Sequence, residues 1–597
     1  MGTAATEDED VPFIYAQQGF DTITTLDPAA WLMGVEYAIH SEIADRMTDY
    51  NYDNETGEVI KKYLLVESET WDDAVTVEMK TREDITFTDG TAWNATAMKW
   101  NLDRIYNLAV YHTADFTTSA MLNTPADPFR EVEGIDLDWV PEGGSCYAIN
   151  YTEVIDETTL KIVTNVPFDL TSVMFPQFGI ISPTAHADYL NMTMYPADGW
   201  SFDDGLVGTG PYMLDEKDNV AREIKMLVNP DWWGAKGEFS DNFATVTNLI
   251  YQYYESTDAQ TTALIALDVD LVVNPDVDRL EGVKNLTVLE GPGMFGATSI
   301  GMFPSKIQDE VREAFNYAWD HQYFIEEVMD GHGALSDGVI FTGQSYQADP
   351  EYLPVTYDLD HARSILLANA SIIGDSGLTA ASTDAEWRAV ADGDSPLRSY
   401  ICKYVALGDW ADRATQTVDM GRSLGINITL LLGDLATYFP GFFDREGSLA
   451  ECDMWLTGIG LWPNVESTLL YMWVEGSSFG YVCTGVPVEG DPEINDWAWA
   501  FMAASPSDTE TKQTLINNIA EKVNLEEFWS VYLPSASVFI AMKDKWYYDN
   551  AIEFKAERLR LWSEDRITGG SGQIPGYSFV TLTLVSLLAT AALVLRK

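Results

Sequence analysis

Residues 85–105 read Ile85-Thr86-Phe87-Thr88-Asp89-Gly90-Thr91-Ala92-Trp93-Asn94-Ala95, followed by Thr96-Ala97-Met98-Lys99-Trp100-Asn101-Leu102-Asp103-Arg104-Ile105. Just upstream, Val75 to Lys80 alternates apolar with polar side chains, the period of a half-buried strand. Asp89-Gly90 is a turn pair. Asn94 then stands where a helix N-cap belongs, and Met98, Leu102 and Ile105 fall at i, i+4 and i+7 on one face. The spacing predicts strand, turn and capped helix, a building block of an α/β protein.

The same grammar recurs on either side. Glu153 to Val166 alternates like a strand, and Ile180-Ile181-Ser182-Pro183 closes it. Val207-Gly208-Thr209-Gly210-Pro211-Tyr212 is a Gly-rich turn, and Ile224 to Asn229 is a strand ended by Pro230. That Gly-rich turn lacks the Gly-Lys-Ser/Thr ending of a phosphate loop. Val311, Ala314, Phe315 and Ala318 give a helix one apolar face; Asp320 caps a second helix, which Gly331 stops. Ala414 to Gly425 predicts a further helix, entering the strand Ile426 to Leu432. Helix and strand in alternation are what an α/β lobe requires.

A chain of 597 residues is too long for one core, so two or three lobes are expected. Apolar residues make up 46% and aromatics 12%, ample material to bury. The formal net charge of −60 repels nucleic acid and anionic headgroups, so nucleic acid is not an expected partner. Such acidity reads as a solvated, salt-tolerant surface, with steering of cationic ligands as the alternative.

Cys146, Cys402, Cys452 and Cys483 contain no Cys-x-x-Cys pair, which argues against a zinc or redox motif. Outside a cell they allow one or two disulfides. Cys452 with Cys483 is the first choice, because the two are nearest in sequence. Asn-x-Ser/Thr sequons at Asn54, Asn94, Asn150, Asn191, Asn285, Asn369 and Asn427 permit glycosylation without showing it.

Tyr577 to Leu595 carries no charge and is followed by Arg596 and Lys597. About 19 helical residues nearly cross a hydrocarbon core of about 30 Å, so the segment reads as a transmembrane anchor. The basic pair places the C-terminus in the cytoplasm and the bulk of the chain outside, at the cell surface. The preceding Thr568-Gly569-Gly570-Ser571-Gly572 reads as a flexible linker within 566–576. Ile574-Pro575-Gly576-Tyr577 resembles the Pro-Gly-aromatic sorting signals of archaeal surface proteins, which would imply a tail exchanged for lipid. Residues 1–10 are an acidic stretch without the basic and apolar regions of a signal peptide.

Catalytic constellations are poorly supported. Gly476-Ser477-Ser478-Phe479-Gly480 fits Gly-x-Ser-x-Gly, but such a triad needs a later histidine, and His40, His112, His186, His321, His332 and His361 all precede Ser478. No His-Glu-x-x-His occurs. The expectation is therefore a non-enzyme with no catalytic residue, no metal site and no cofactor. A surface hydrolase or an adhesin is the rival from a different class.

The segments from Ile85 to Arg104, Val207 to Tyr212, Asn229-Pro230-Asp231-Trp232-Trp233-Gly234, and Val311-Arg312-Glu313-Ala314-Phe315-Asn316-Tyr317-Ala318-Trp319-Asp320 resemble, in order and spacing, the family 5 extracellular solute-binding proteins. These receptors feed oligopeptides, dipeptides, nickel or oligosaccharides to ATP-driven importers. The resemblance covers residues 20–550 and weakens at 107–147 and 372–410, where insertions are expected. It implies a periplasmic-binding-protein-like α/β fold of class II type: two α/β lobes around a hinge, plus an extra lobe. Lobe I would combine 11–46, 185–285 and 535–565; lobe II would be 47–184 and lobe III 286–534, with the ligand between lobes I and III. It makes Asp89 structural and an ABC permease the expected partner.

Peptide receptors of this family commonly hold the ligand amine with an Asp after a Gly-Trp pair. The matching stretch here is Asp453-Met454-Trp455-Leu456-Thr457-Gly458-Ile459-Gly460-Leu461-Trp462-Pro463-Asn464. Ile459 takes the Trp position, and Trp462 stands where the Asp would be. An ammonium desolvated there needs a carboxylate from elsewhere. Trp462 can instead stack on a sugar ring or an apolar side chain, Asn464 can supply a polar contact, and Phe295 and Trp455 are further candidates of the aromatic kind. The expected ligand is a peptide, with an oligosaccharide as the alternative.

Overall fold

The computed structural model describes most of residues 12–547 together with Arg560 and Leu561; outside the described residues lie 1–11, 112–122, 126–144, 192–201, 236–245, 434–444, 475–483, 548–559 and 562–597, with shorter breaks that include 292–295 and 461–463. The acidic N-terminal stretch, the linker and the expected anchor at 577–595 thus fall outside the described residues. No helix among the described residues is long and apolar enough to cross a membrane.

The chain divides into two compact units, one drawn from residues up to 21, 215–290 and 539 onward, the other from 22–214 and 291–538. In the first unit, Phe13–Gln18 pairs in parallel with Asn248–Tyr254 and with Leu271–Val273, Phe13 lying opposite Leu249 and Tyr15 opposite Leu271. These strands belong to a seven-stranded mixed sheet. Asn248–Tyr254 alternates buried and half-buried residues along its length, the signature of a strand with one face on the core. The helix Thr257–Ile265 begins where Ser256 accepts a hydrogen bond from the Ala259 amide, and its Leu264 packs with Ala16, Val272 and Ala541. Asp270 is buried here and accepts from the Ile14 amide and Trp546 Nε1.

The second unit carries the strand, turn and helix on which the sequence reading began. Thr76–Thr81 is a strand of a four-stranded antiparallel sheet, and Gly90 sits at φ +85° in the turn. Asn94 Oδ1 accepts from the Ala97 amide at 3.0 Å, starting the helix Ala95–Tyr111, whose Met98, Leu102 and Ile105 are buried. Asp89 accepts from Ser182 Oγ at 2.6 Å and from the Thr91 amide, a turn-fixing role. The alternation from Glu153 to Val166 is two strands rather than one, Ile149–Val154 and Thr159–Thr164. Asp156 Oδ1 accepts from the amides of Thr158 and Thr159, and that local turn breaks the run.

A five-stranded sheet forms the other large element, in the order Asn427–Leu432, Ser399–Tyr404, Met454–Gly460, Gly296–Met302, Ser530–Leu533. Tyr400, Cys402, Met454, Leu456, Ile300 and Val531 share a core with Val311, Phe315 and Trp319 of the helical layer, and Trp387 is buried in the same cluster. Burial of each large apolar side chain stabilises the fold by about 1.5–3 kcal/mol. The helix Asp309–Ala318 buries the face predicted for it, and Asp320 accepts from the Tyr323 amide to start the next helix. The helix expected from Ala414 instead begins at Trp410, its first turn closed by the Asp409–Arg413 ion pair at 2.6 Å. Within segment 372–410, where an insertion was expected, Ser399–Tyr404 is a strand inside this sheet with Tyr400 and Cys402 turned to the core, so no insertion extends over those six residues.

Candidate functional site

Met454 and Leu456 of the strand Met454–Gly460 enter the core under the helices, so period two turns Trp455 and Thr457 to the opposite face. Trp455 is fully enclosed, with Lys403 Nζ 4.5 Å from its ring centroid, and Lys403 pairs with Glu451 at 2.6 Å. The chain then passes through 461–463 and re-enters the described residues at Asn464. Trp462 and Phe295 lie outside the described residues, so Trp455 and Asn464 are the two of the four sequence candidates that can be placed.

Asn464 occupies the N-cap of the helix Val465–Thr468, which continues as a π-helical turn over Leu469–Trp473. Its backbone is firmly held: the carbonyl oxygen accepts from Ser467 Oγ at 2.8 Å and from Gln344 Nε2 at 3.3 Å. Gln344 Oε1 in turn accepts from Thr468 Oγ1 and from the Phe341 amide, while Trp473 Nε1 donates to the Val339 carbonyl. A loop more than a hundred residues upstream thereby fixes the start of this helix.

The side chain of Asn464 is treated differently. The residue is 5% exposed, makes no capping hydrogen bond, and both Oδ1 and Nδ2 are buried without a partner. A buried polar group left unpaired costs about 1–3 kcal/mol, so such a group calls for an explanation. Next to it, Glu466 pairs with Lys512 at 3.1 Å, and Lys512 Nζ stands 4.4 Å from the Phe501 ring centroid. The same helix packs against Leu170–Val173, near which Tyr50 donates its hydroxyl to the Ser172 carbonyl. Asp337 precedes the supporting loop, half-buried, and burial raises its pKa.

Sequence reasoning missed Gln344, Glu466 and Lys512. Their signal is tertiary, since Gln344 lies 120 positions from Asn464 and nothing local marks the pairing. Two of the described histidines serve the backbone: His321 Nε2 lies 2.9 Å from the Tyr532 carbonyl, and His186 Nε2 accepts from the Val207 amide. Among the described residues, no group of three or more His, Cys, Asp or Glu side chains could hold a metal ion. Cys402 is a buried free thiol; Cys452 is buried, and its first-choice partner Cys483 lies outside the described residues, as does Ser478.

Comparison with known proteins adds a lineage to this geometry. The family model described as bacterial extracellular solute-binding proteins, family 5 middle, matches residues 62–481. The glutathione-binding protein GsiB of Escherichia coli is 26% identical over 355 residues, which cover 58% of this chain and 59% of that protein. The chain thus matches about three fifths of the length of these curated relatives. Among solved structures, DppA of Helicobacter pylori in complex with the peptide STSA aligns with a TM-score of 0.67 at 16% identity, covering 92% of this chain and 98% of that one. NikA of Staphylococcus aureus in complex with Ni(L-His)2 aligns at 0.64 and 14%, covering 92% and 97%.

Proposed function

This chain belongs to the bacterial extracellular solute-binding proteins of family 5, and from that premise we propose that it captures peptides outside the cell and delivers them to the permease of an ATP-driven importer. The observation that carries this reading is the family match over residues 62–481. Relatives that share the fold were solved with a peptide and with a nickel–histidine complex, so the fold leaves the ligand open. Peptide is favoured here by the buried carboxamide of Asn464, a group suited to pairing with an amide. Trp462, Phe295 and Trp455 complete the proposed set of ligand residues. The mechanism is population shift: ligand stabilises the state that binds it more tightly, and the permease recognises that state. Residues 577–595 would tether the receptor beside its permease.

An oligosaccharide is the second reading, favoured by Trp462 at the position where peptide receptors carry an acid. Native mass spectrometry of the full chain, purified in detergent, separates the two. A co-purifying peptide mass supports the first reading, and a hexose-spaced mass supports the second. No ligand, together with no thermal shift from peptide and oligosaccharide panels, counts against the receptor function itself.

A further inference from the structure

Around the start of the helix Val465–Thr468, Ser467, Thr468, Gln344, Glu466 and Lys512 are committed to partners. The Asn464 carbonyl is taken by Ser467 and Gln344, the Thr468 hydroxyl by Gln344, and the Glu466 carboxylate by Lys512. The Asn464 carboxamide is buried with both of its polar atoms unpartnered, whereas in the supporting loop Gln347 leaves only its Oε1 without a partner. An Asn at an N-cap ordinarily accepts from an amide of the first turn, and this one does not. The supported backbone and the uncommitted side chain are independent observations, and together they point to a group held ready for something else.

The chemistry of that group narrows what it takes. A carboxamide presents an acceptor and a donor side by side, which matches another amide in a two-point pair. An ammonium would satisfy the oxygen and oppose the N–H groups; a carboxylate would satisfy the N–H groups and oppose the oxygen. Either ion also needs a counter-charge to leave water. Lys512 and Glu466 neutralise each other, their side chains 6% and 15% exposed. Leu461, Trp462 and Pro463, which lead into Asn464, bring no ionisable group.

We infer that Asn464 is a specificity-determining residue that takes an uncharged amide of the ligand, so that a peptide is read here through its backbone or a carboxamide side chain and not through a charged terminus. This rests on the receptor reading above. The test is isothermal titration of the full chain with three probes: tetra-alanine with free termini, N-acetyl tetra-alanine amide, and maltotetraose. The capped peptide binds at least as tightly as the free one. Asn464→Ala weakens the capped peptide by about tenfold or more, the usual penalty when a buried polar group loses its partner. Asn464→Asp, nearly the same shape, turns the preference toward the free amine, and thermal melts of both variants confirm that they fold.

Tighter binding of the free peptide by wild type, lost in Asp337→Asn, would overturn the inference and pass the role to Asp337 while the receptor reading stands. So would unchanged binding of the capped peptide by Asn464→Ala. Binding of maltotetraose alone would keep a receptor and sink the amide. Binding of none of the three would sink both.

Discussion

Lys512 holds its ammonium 3.1 Å from the Glu466 carboxylate and 4.4 Å from the centre of the Phe501 ring. The pair ties the helix Thr509–Glu521 to the first turn of Val465–Thr468, whose N-cap residue Asn464 has an unpartnered side chain. An enclosed ion pair contributes little net stability as a pair, yet removing one partner leaves a charge with no water and no counter-ion.

Glu466→Gln is therefore expected to lower stability by about 3–5 kcal/mol, while the double change Glu466→Gln with Lys512→Met recovers most of that loss. Denaturant melts of the three variants check it. A single-variant loss near zero would mean that water reaches the pair.

Gly208 is fixed by the space around it. An added Cβ would stand 2.2 Å from the Ile43 carbonyl oxygen and 2.7 Å from Ala44 Cα, both backbone atoms that cannot turn aside. Gly208→Ala should cost at least about 1–3 kcal/mol from overpacking. Gly282 has φ +71° with open space around it, so Gly282→Ala should cost only about 1–2 kcal/mol, from the left-handed backbone alone. Parallel thermal melts distinguish a steric limit from a conformational one.

His40 is fully buried, and burial pulls its pKa from 6.5 down to about 3. Because the unfolded chain takes up the proton first, this residue's contribution to stability is fully present above pH 6.5. It is lost as pH falls toward about 3, by an amount on the order of 5 kcal/mol. Wild type minus His40→Asn, followed by denaturation across that window, isolates the term from the many carboxylates. A difference that stays constant with pH would show that His40 titrates normally in the folded protein.

Burial pushes the thiol of Cys402 up to about 12. Since the thiolate is the reactive form, Cys402 should not be alkylated by iodoacetamide in the native protein at pH 8, and it should label once guanidinium unfolds the chain. Rapid native labelling located at Cys402 by peptide mapping would contradict its enclosure.

The local elements were legible in the chain because their causes are local. A turn pair, a capping Asn and three apolar residues on one helical face specified the Ala95–Tyr111 unit, and Asp320 with Gly331 bounded the helical turns His321–Tyr323 and Phe324–Val328 in the same way. The recurring motif order pointed to the family, and the match over 62–481 agrees. Asn464 was legible as a polar candidate at a matching position, although nothing in the sequence said that its side chain would be left uncommitted.

Tertiary structure decided what depends on residues distant in sequence. The strand Ser399–Tyr404 belongs to the five-stranded sheet because Asn427–Leu432 and Met454–Gly460 pair with it on either side, and a hydrogen-bond ladder has no signature within one strand. Trp455 and Lys403 lie 52 positions apart, yet stack because neighbouring strands bring Lys403 opposite Trp455. Gln344 holds the Asn464 backbone, and Lys512 neutralises Glu466, across 120 and 46 positions. Sequence thus determined which pieces form, through side-chain period, caps and turns; packing decided which polar groups are spent on the fold and which, like the Asn464 carboxamide, are buried without a partner.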